Sequence, residues 1–312
     1  MSINTYPVLR SIASYVLPSS LMKRPGSGGT FSSEYCYSVW LRHLHVLFET
    51  GLVQDVTNLK RVAEIGPGDS LGIGMAALYS GAQNYFAFDV IEHANLETNK
   101  TINADLKKYF CERKPIPHGD KLKNTAPVLD DYSFPTHILP WTNKFYEQRY
   151  SSIEQALEKD ESSDVSIQYI VPWFDNQKHE VAEIDLIFSQ AVMEHVADIE
   201  FAYREMYRWL KSGGIISHQI DFKTHEMTKE WNGHWFIGEK MWKFLSRGRK
   251  YPMNRLPLSS HIKMIEKAGF NIVKIVPVQR QNKFGNSTPR VPGVEFTDND
   301  LITSGALIQA VK

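Results

Sequence analysis

Covalent reinforcement is scarce in this sequence. Its 312 residues include two cysteines, Cys36 and Cys111. Two thiols are too few for a disulfide scaffold or a four-thiolate zinc site, and they read as free thiols of a reducing compartment. Net charge is absent as well, because 35 Lys and Arg balance 35 Asp and Glu. Overall charge therefore leaves no footprint for nucleic acid or an anionic membrane, and neither partner is expected. No run of about 18 apolar residues occurs, which excludes a membrane-spanning helix. The apolar N-terminal stretch is broken by Arg10, Ser11 and Ser14, unlike the core of a signal peptide. A soluble, cytoplasmic protein is expected, and a homodimer stays open. Repeats and low-complexity tracts are also missing. What is present is ordinary for a globular chain, with 42% hydrophobic and 22% charged residues. The length suits one large domain or two small ones with a sizeable core.

Residues 1–58 read as an N-terminal helical segment or cap. Their first part is poorly patterned and ends in a loop signal, Pro25-Gly26-Ser27-Gly28-Gly29, while 33–51 show helical spacing up to Gly51. Residues 59–312 read as a single α/β domain. A strand at 61–65 runs into glycines, a helix covers 73–79, and a second strand at 85–88 stops at Asp89. Strand, glycine turn, helix and strand make a βαβ unit, hence a parallel sheet with a right-handed crossover. Residues 93–164 are polar and punctuated by Pro115, Pro117, Pro127, Pro135 and Pro140. They read as a long insertion after the second strand with one helix at 151–159, either a lid or a surface excursion. Further strands are expected at 166–170, 184–189, 215–220, 270–276 and 307–311, with helices at 197–210 and 259–268. The fold expected is a Rossmann-like, seven-stranded, mostly parallel sheet with helices on both faces.

The strongest local signal is Glu64-Ile65-Gly66-Pro67-Gly68-Asp69-Ser70-Leu71-Gly72. Closely spaced glycines at a strand end let backbone approach a ligand where a Cβ would clash. The helix that follows offers free N–H groups. A dinucleotide fingerprint needs glycine at 71, and Leu71 stands there. An acid at Glu64, two residues before the first glycine, repels a pyrophosphate and suits a cationic amino-acid group. Asp89 ends the next strand, where a carboxylate can accept hydrogen bonds from both hydroxyls of a ribose.

This combination resembles motif I and the following acidic motif of class I S-adenosylmethionine-dependent methyltransferases, in their small-molecule branch. The resemblance continues through Asp185 to Val196, through Leu210-Lys211-Ser212-Gly213-Gly214, and through Ile265 to Phe270. It spans about 61–311 and leaves 93–164 unmatched. It implies S-adenosylmethionine as cofactor, held by Glu64, Gly66, Gly68, Asp89, Val90 and Gln190. Two departures stand out. No acid follows the third strand until Asp175, so Tyr169 and Trp173 are offered as an adenine wall. Some relatives bind a divalent metal through Glu-x-x-Glu-His, but the first position here is Ala191 and only Glu194 and His195 remain. No metal is expected.

Methyl transfer is an in-line displacement governed by proximity and orientation, and a hydroxyl acceptor also needs a general base. Candidates for the base, in order, are His218, His195 and Asp221, with His225 nearby. In a strand His218 and Ile220 share one face while Gln219 and Asp221 share the other, so His218 and Asp221 are not expected in one site unless the strand ends by 220. Residues 222–258 read as an acceptor-side cap carrying His225, Trp231, His234, Trp235, Phe236 and Tyr251; Trp242 and Phe244 are assigned to packing. Asn254-Arg255-Leu256 is offered as a holder of an anionic group. The expected activity is O-methylation of a small polar or carbohydrate acceptor, such as a sugar or polysaccharide precursor. N-methylation of a small amine, an NAD(P)-dependent oxidoreductase with an atypical glycine turn, and a non-catalytic S-adenosylmethionine-binding protein remain alternatives. Leu71 and Glu64 weigh against the oxidoreductase.

Overall fold

The computed structural model describes residues 2–16, 29–120, 122, 125–174, 182–247, 249, 251–285 and 287–312. The loop expected at 25–28 and the acid Asp175 lie outside them. Seven strands form one sheet: β1 (Arg61–Ile65), β2 (Asn84–Phe88), β3 (Ser166–Ile170), β4 (Ile184–Gln190), β5 (Leu210–Asp221), β6 (Asn271–Gln279) and β7 (Thr303–Val311). Their order is β3-β2-β1-β4-β5-β7-β6. The first five run parallel, and β7 pairs antiparallel with both β5 and β6. This is the expected architecture.

Period-two alternation decides which side chain faces which layer. Val62, Tyr85, Leu186 and Phe188 join a core beneath α2 (Ser33–Glu49), α3 (Gly72–Tyr79), α4 (Leu96–Cys111) and α5 (Asn143–Leu157). Ala63, Phe86, Ile187 and Ile216 enter a second core under α6 (Ile199–Trp209) and α8 (Leu258–Lys267). Strands buried on both faces explain the near-continuous apolar runs at the sheet centre. A short helix, α9 (Asp298–Ile302), leads into β7 behind a capping box formed by Thr297 and Asp300.

Three stretches differ from the expectation. Residues 5–16, read as poorly patterned, form α1 (Thr5–Val16). It packs on α7 (Glu239–Ser246) in the cap, where Ser11 Oγ donates to the Leu245 carbonyl and the Asn4 N–H to Met227. The N-terminal segment thus divides, α1 going to the cap and α2 to the sheet. The stretch 93–164 contains α4 as well as α5, so much of it is the crossover that a parallel β2–β3 pair demands. Helix α4 escapes a sequence reading because its apolar face is a single stripe, Ile102, Leu106 and Phe110, amid buried Asn99 and Asn103. Between the two helices, the buried Arg42 guanidinium donates to the carbonyls of Pro117, Thr125 and Pro127 and holds that loop against α2. Finally, β5 begins at Leu210, and the expected turn at 211–214 lies within the strand at a register shift against β4. No described helix is long and apolar enough to cross a membrane.

Candidate active site

A cavity of about 1150 Å³ opens at the carboxyl ends of β1, β2, β4 and β5. That edge is where open parallel sheets bind ligands. Its floor is the glycine turn. Gly66 has φ +70 and donates its N–H to the Phe88 carbonyl at 2.8 Å. A Cβ there would lie 2.7 Å from both Val192 methyls, so geometry and space both require glycine. Gly68, at φ +74, turns its N–H toward Asp89 Oδ2 at 3.4 Å. Asp89 Oδ1 takes the Val90 N–H at 2.7 Å. Burial raises the Asp89 carboxyl, and the Val90 N–H and His93 pull it back. Gly66, Gly68, Asp89, Val90 and Gln190 all line the cavity. Gln190 is held from both ends: its amide donates to the Ala126 carbonyl at 3.2 Å, and its Oε1 meets His43 Nε2 at 3.2 Å. His43 Nδ1 continues to Ser217 Oγ at 2.8 Å.

Glu64 corrects the expectation. It is not among the cavity-lining residues. Alternation sends it with Val62 to the α3 side of β1, where it is 1% exposed and its Oε2 accepts the Tyr85 hydroxyl at 2.6 Å. Gly74 makes room, since a Cβ on it would fall 1.9 Å from the Tyr85 ring. Burial pushes the Glu64 carboxyl up to about 8, against the hydrogen bond from Tyr85. It braces β1, β2 and α3 rather than facing a ligand.

His218 is likewise corrected. It is 0% exposed and points to the α6 side, with Nδ1 2.8 Å from Ser189 Oγ and its ring 6.0 Å from Tyr203. Burial, with His43 and His261, pushes its imidazole down to about 3. His195, Asp221 and His225 do line the cavity. Burial, reinforced by His225, lowers His195 to about 4. At Asp221 burial acts to raise the carboxyl, but His225 and Lys223 outweigh it and hold it at about 2. Lys223 Nζ lies 3.1 Å from Asp221 Oδ2, and His225 Nε2 3.5 Å from the same oxygen.

Of the proposed adenine wall, Trp173 lines the cavity, and Val90 and Phe201 stand with it. Tyr169 does not; its hydroxyl accepts the His93 N–H at 3.0 Å and fixes the loop after β2. In the cap, Tyr251 reaches the cavity and meets His93 Nε2 at 2.8 Å, joining cap to sheet edge. Trp235 and Phe236 are core, Trp231 Nε1 donates to the Gln281 carbonyl, and the buried His234 ring lies tilted against Trp235, 4.9 Å between centroids. Arg255 is no anion holder: it is buried, donates to the His234 and Ile237 carbonyls, and pairs with Glu239 at 2.8 Å. Asn254 instead braces the turn after β4, donating to Met193 at 2.8 Å and Val196 at 3.1 Å. Sequence reading missed Tyr35, His93, Gln219 and the 125–128 loop as cavity residues. They come from four separate elements, and no local spacing links them.

Residues 146–217, which run from α5 into β5, match the family model described as a methyltransferase domain. No curated protein matches the chain. Among solved structures, an S-adenosylmethionine-dependent methyltransferase from Mesorhizobium loti is similar at 11% identity, covering 84% of this chain and 94% of that one, with a TM-score of 0.41. Phosphoethanolamine N-methyltransferase 2 of Haemonchus contortus, solved with S-adenosyl-L-methionine, is similar at 16% identity over 88% of this chain and 52% of that one, with a TM-score of 0.42. Likeness at that level says nothing about substrate. The segment 146–217 matches a methyltransferase domain, and the order of the seven strands and the glycine turn facing Asp89 have the arrangement that the resemblance to class I S-adenosylmethionine-dependent methyltransferases implies.

Proposed function

We propose that the chain transfers the methyl group of S-adenosylmethionine to an oxygen of a small polar acceptor, such as a sugar or a polysaccharide precursor. The observation that carries this reading is the Asp89 carboxylate beside the Gly66–Gly68 turn at one end of the cavity, with His195, Asp221 and His225 along its wall. Gly66 turns the backbone at positive φ and packs against Val192, and with Gly68 it lines the cavity beside Asp89. Asp89 would take the ribose hydroxyls, and Val90 and Trp173 would flank the base. When bound, the cofactor supplies a sulfonium methyl that needs no further activation.

The residues of the chain then orient the acceptor and manage its proton. Gln219 lines the cavity with a buried Oε1 that has no hydrogen-bond partner among the described residues, a ready acceptor for a substrate hydroxyl. Asp221 is ionised at neutral pH and is the group that receives the acceptor's proton; His195 is uncharged and accepts a hydrogen bond. Both are weak bases, an observation that also favours a second reading, transfer to a neutral amine that needs no base. The test is incubation with methyl-labelled S-adenosylmethionine and parallel panels of sugars and small amines. Label in a sugar, lost in Asp221→Asn, supports the first reading. Label confined to amines supports the second. Label in neither panel counts against both.

A further inference from the structure

Glu194 is 2% exposed, and neither of its carboxylate oxygens has a hydrogen-bond partner among the described residues. A carboxyl buried in that way calls for a cation or a donor. Two imidazoles stand beside it. His225 Nε2 lies 3.9 Å from Glu194 Oε1 and also has no hydrogen-bond partner. The His195 and His225 rings are 5.0 Å apart between centroids. One ligating atom from each of the three residues lies within 4.8 Å of the other two. His195 and His225 line the cavity, while Glu194 backs them from the interior. Nothing in the spacing of the sequence pairs His225 with Glu194; the cap brings them together.

We propose that Glu194, His195 and His225 bind a divalent first-row transition metal ion of the zinc type, with its open positions turned toward the acceptor side of the cavity. Two imidazoles and one carboxylate suit such an ion, whereas magnesium and calcium favour all-oxygen sets. Ligands about 2.1 Å from a tetrahedral ion stand about 3.4 Å apart, so the trio needs only modest side-chain closure. The supports are in place. Arg249 donates to the His225 carbonyl at 2.7 Å, and the Asn254 N–H donates to the Glu194 carbonyl at 2.8 Å. Asp221 flanks the site 3.5 Å from His225 Nε2, already paired with Lys223.

The role of the ion rests on the methyl-transfer reading; its binding does not. A hydroxyl coordinated to a Lewis acid loses its proton more readily, and the Asp221 carboxylate flanks the site to receive it. The O–H proton passes to Asp221, the oxygen lone pair forms the new O–C bond, and the S–C bond breaks with its electron pair left on sulfur.

The experiment uses the untagged full chain, stripped with chelator, in the absence of S-adenosylmethionine. Zinc is titrated by calorimetry, and cobalt by its visible absorption. The expected result is one ion per chain, with affinity reduced about 100-fold in Glu194→Gln and His225→Ala, at least what loss of a mere supporting partner costs. The cobalt bands should vanish in both variants. Should Glu194→Gln fail to fold, the more exposed His225→Ala carries the comparison. No zinc or cobalt binding by the parent chain, or unchanged affinity in the folded variants, overturns the proposal. Zinc bound as expected with label reaching no hydroxyl keeps the metal site and removes the oxygen-transfer reading.

Discussion

Replacing Gly66 with alanine should damage the chain through two separable effects. The first is backbone geometry: φ is +70, and an L-residue in that region costs about 1–2 kcal/mol. The second is contact: the new methyl would lie 2.7 Å from both methyls of Val192, and overpacking of that kind costs about 1–3 kcal/mol. Together they predict a loss of about 2–5 kcal/mol. At about 2–4 °C per kcal/mol, the scale of somewhat smaller proteins, the melting temperature should fall by about 4–20 °C. Scanning calorimetry measures it. Adding Val192→Ala to Gly66→Ala removes the methyls and should restore the contact part alone, so a double-mutant cycle should show about 1–2 kcal/mol of favourable coupling. A melting temperature unchanged from wild type in Gly66→Ala would refute the reasoning, and zero coupling would refute the contact half of it.

Glu64→Gln should stabilise the chain increasingly with pH. The carboxyl is raised from 4.5 to about 8 in the folded state, so its contribution is fully present below 4.5 and is lost as pH rises toward 8. The variant's advantage should grow across that window to about 1–3 kcal/mol near pH 7; denaturant unfolding at several pH values checks it, and a pH-independent difference would contradict it. His218→Ala should lower stability by about 2–4 kcal/mol, because it opens a cavity and strands Ser189 Oγ. Cofactor affinity of the folded fraction should be unchanged in that variant, and a large loss would return His218 to the site. Buried imidazoles at His43, His218, His234 and His261 are all lowered by burial, to about 3 or 4. Their stability is present above the ordinary value of 6.5 and is lost as pH falls below it, so the melting temperature should drop on acidification toward pH 4.

The sheet was legible because its strands announce themselves by composition. Residues 61–65 and 166–170 are strands with the expected bounds, since short apolar runs between turn signals leave little choice. The turn at Gly66–Gly68 and the acid at Asp89 were legible for a related reason: backbone chemistry at a strand end is local. Glu64 and His218 were misplaced because a strand residue's facing depends on which helices cover the sheet. The alternation rule put His218 on the face opposite Asp221, but it does not say which face is open. Arg255 failed for another reason. A cation in a loop looks free until the carbonyls of His234 and Ile237 and the carboxylate of Glu239 are seen around it. Helix α4 was hidden by its polar exterior, and the Glu194–His225 juxtaposition by the 30 residues of chain between them.

The central claim is that Asp89 grips the ribose of S-adenosylmethionine over the Gly66–Gly68 turn. Titration calorimetry of S-adenosylmethionine into wild type and Asp89→Ala tests it most directly, with thermal unfolding run alongside. A carboxylate hydrogen bond is worth about 1.5–3 kcal/mol; loss of two should weaken binding by about 100-fold or more, with folding intact and NADH giving no heat in either protein. Equal affinity in the two proteins, or binding of NADH in place of S-adenosylmethionine, would contradict the account.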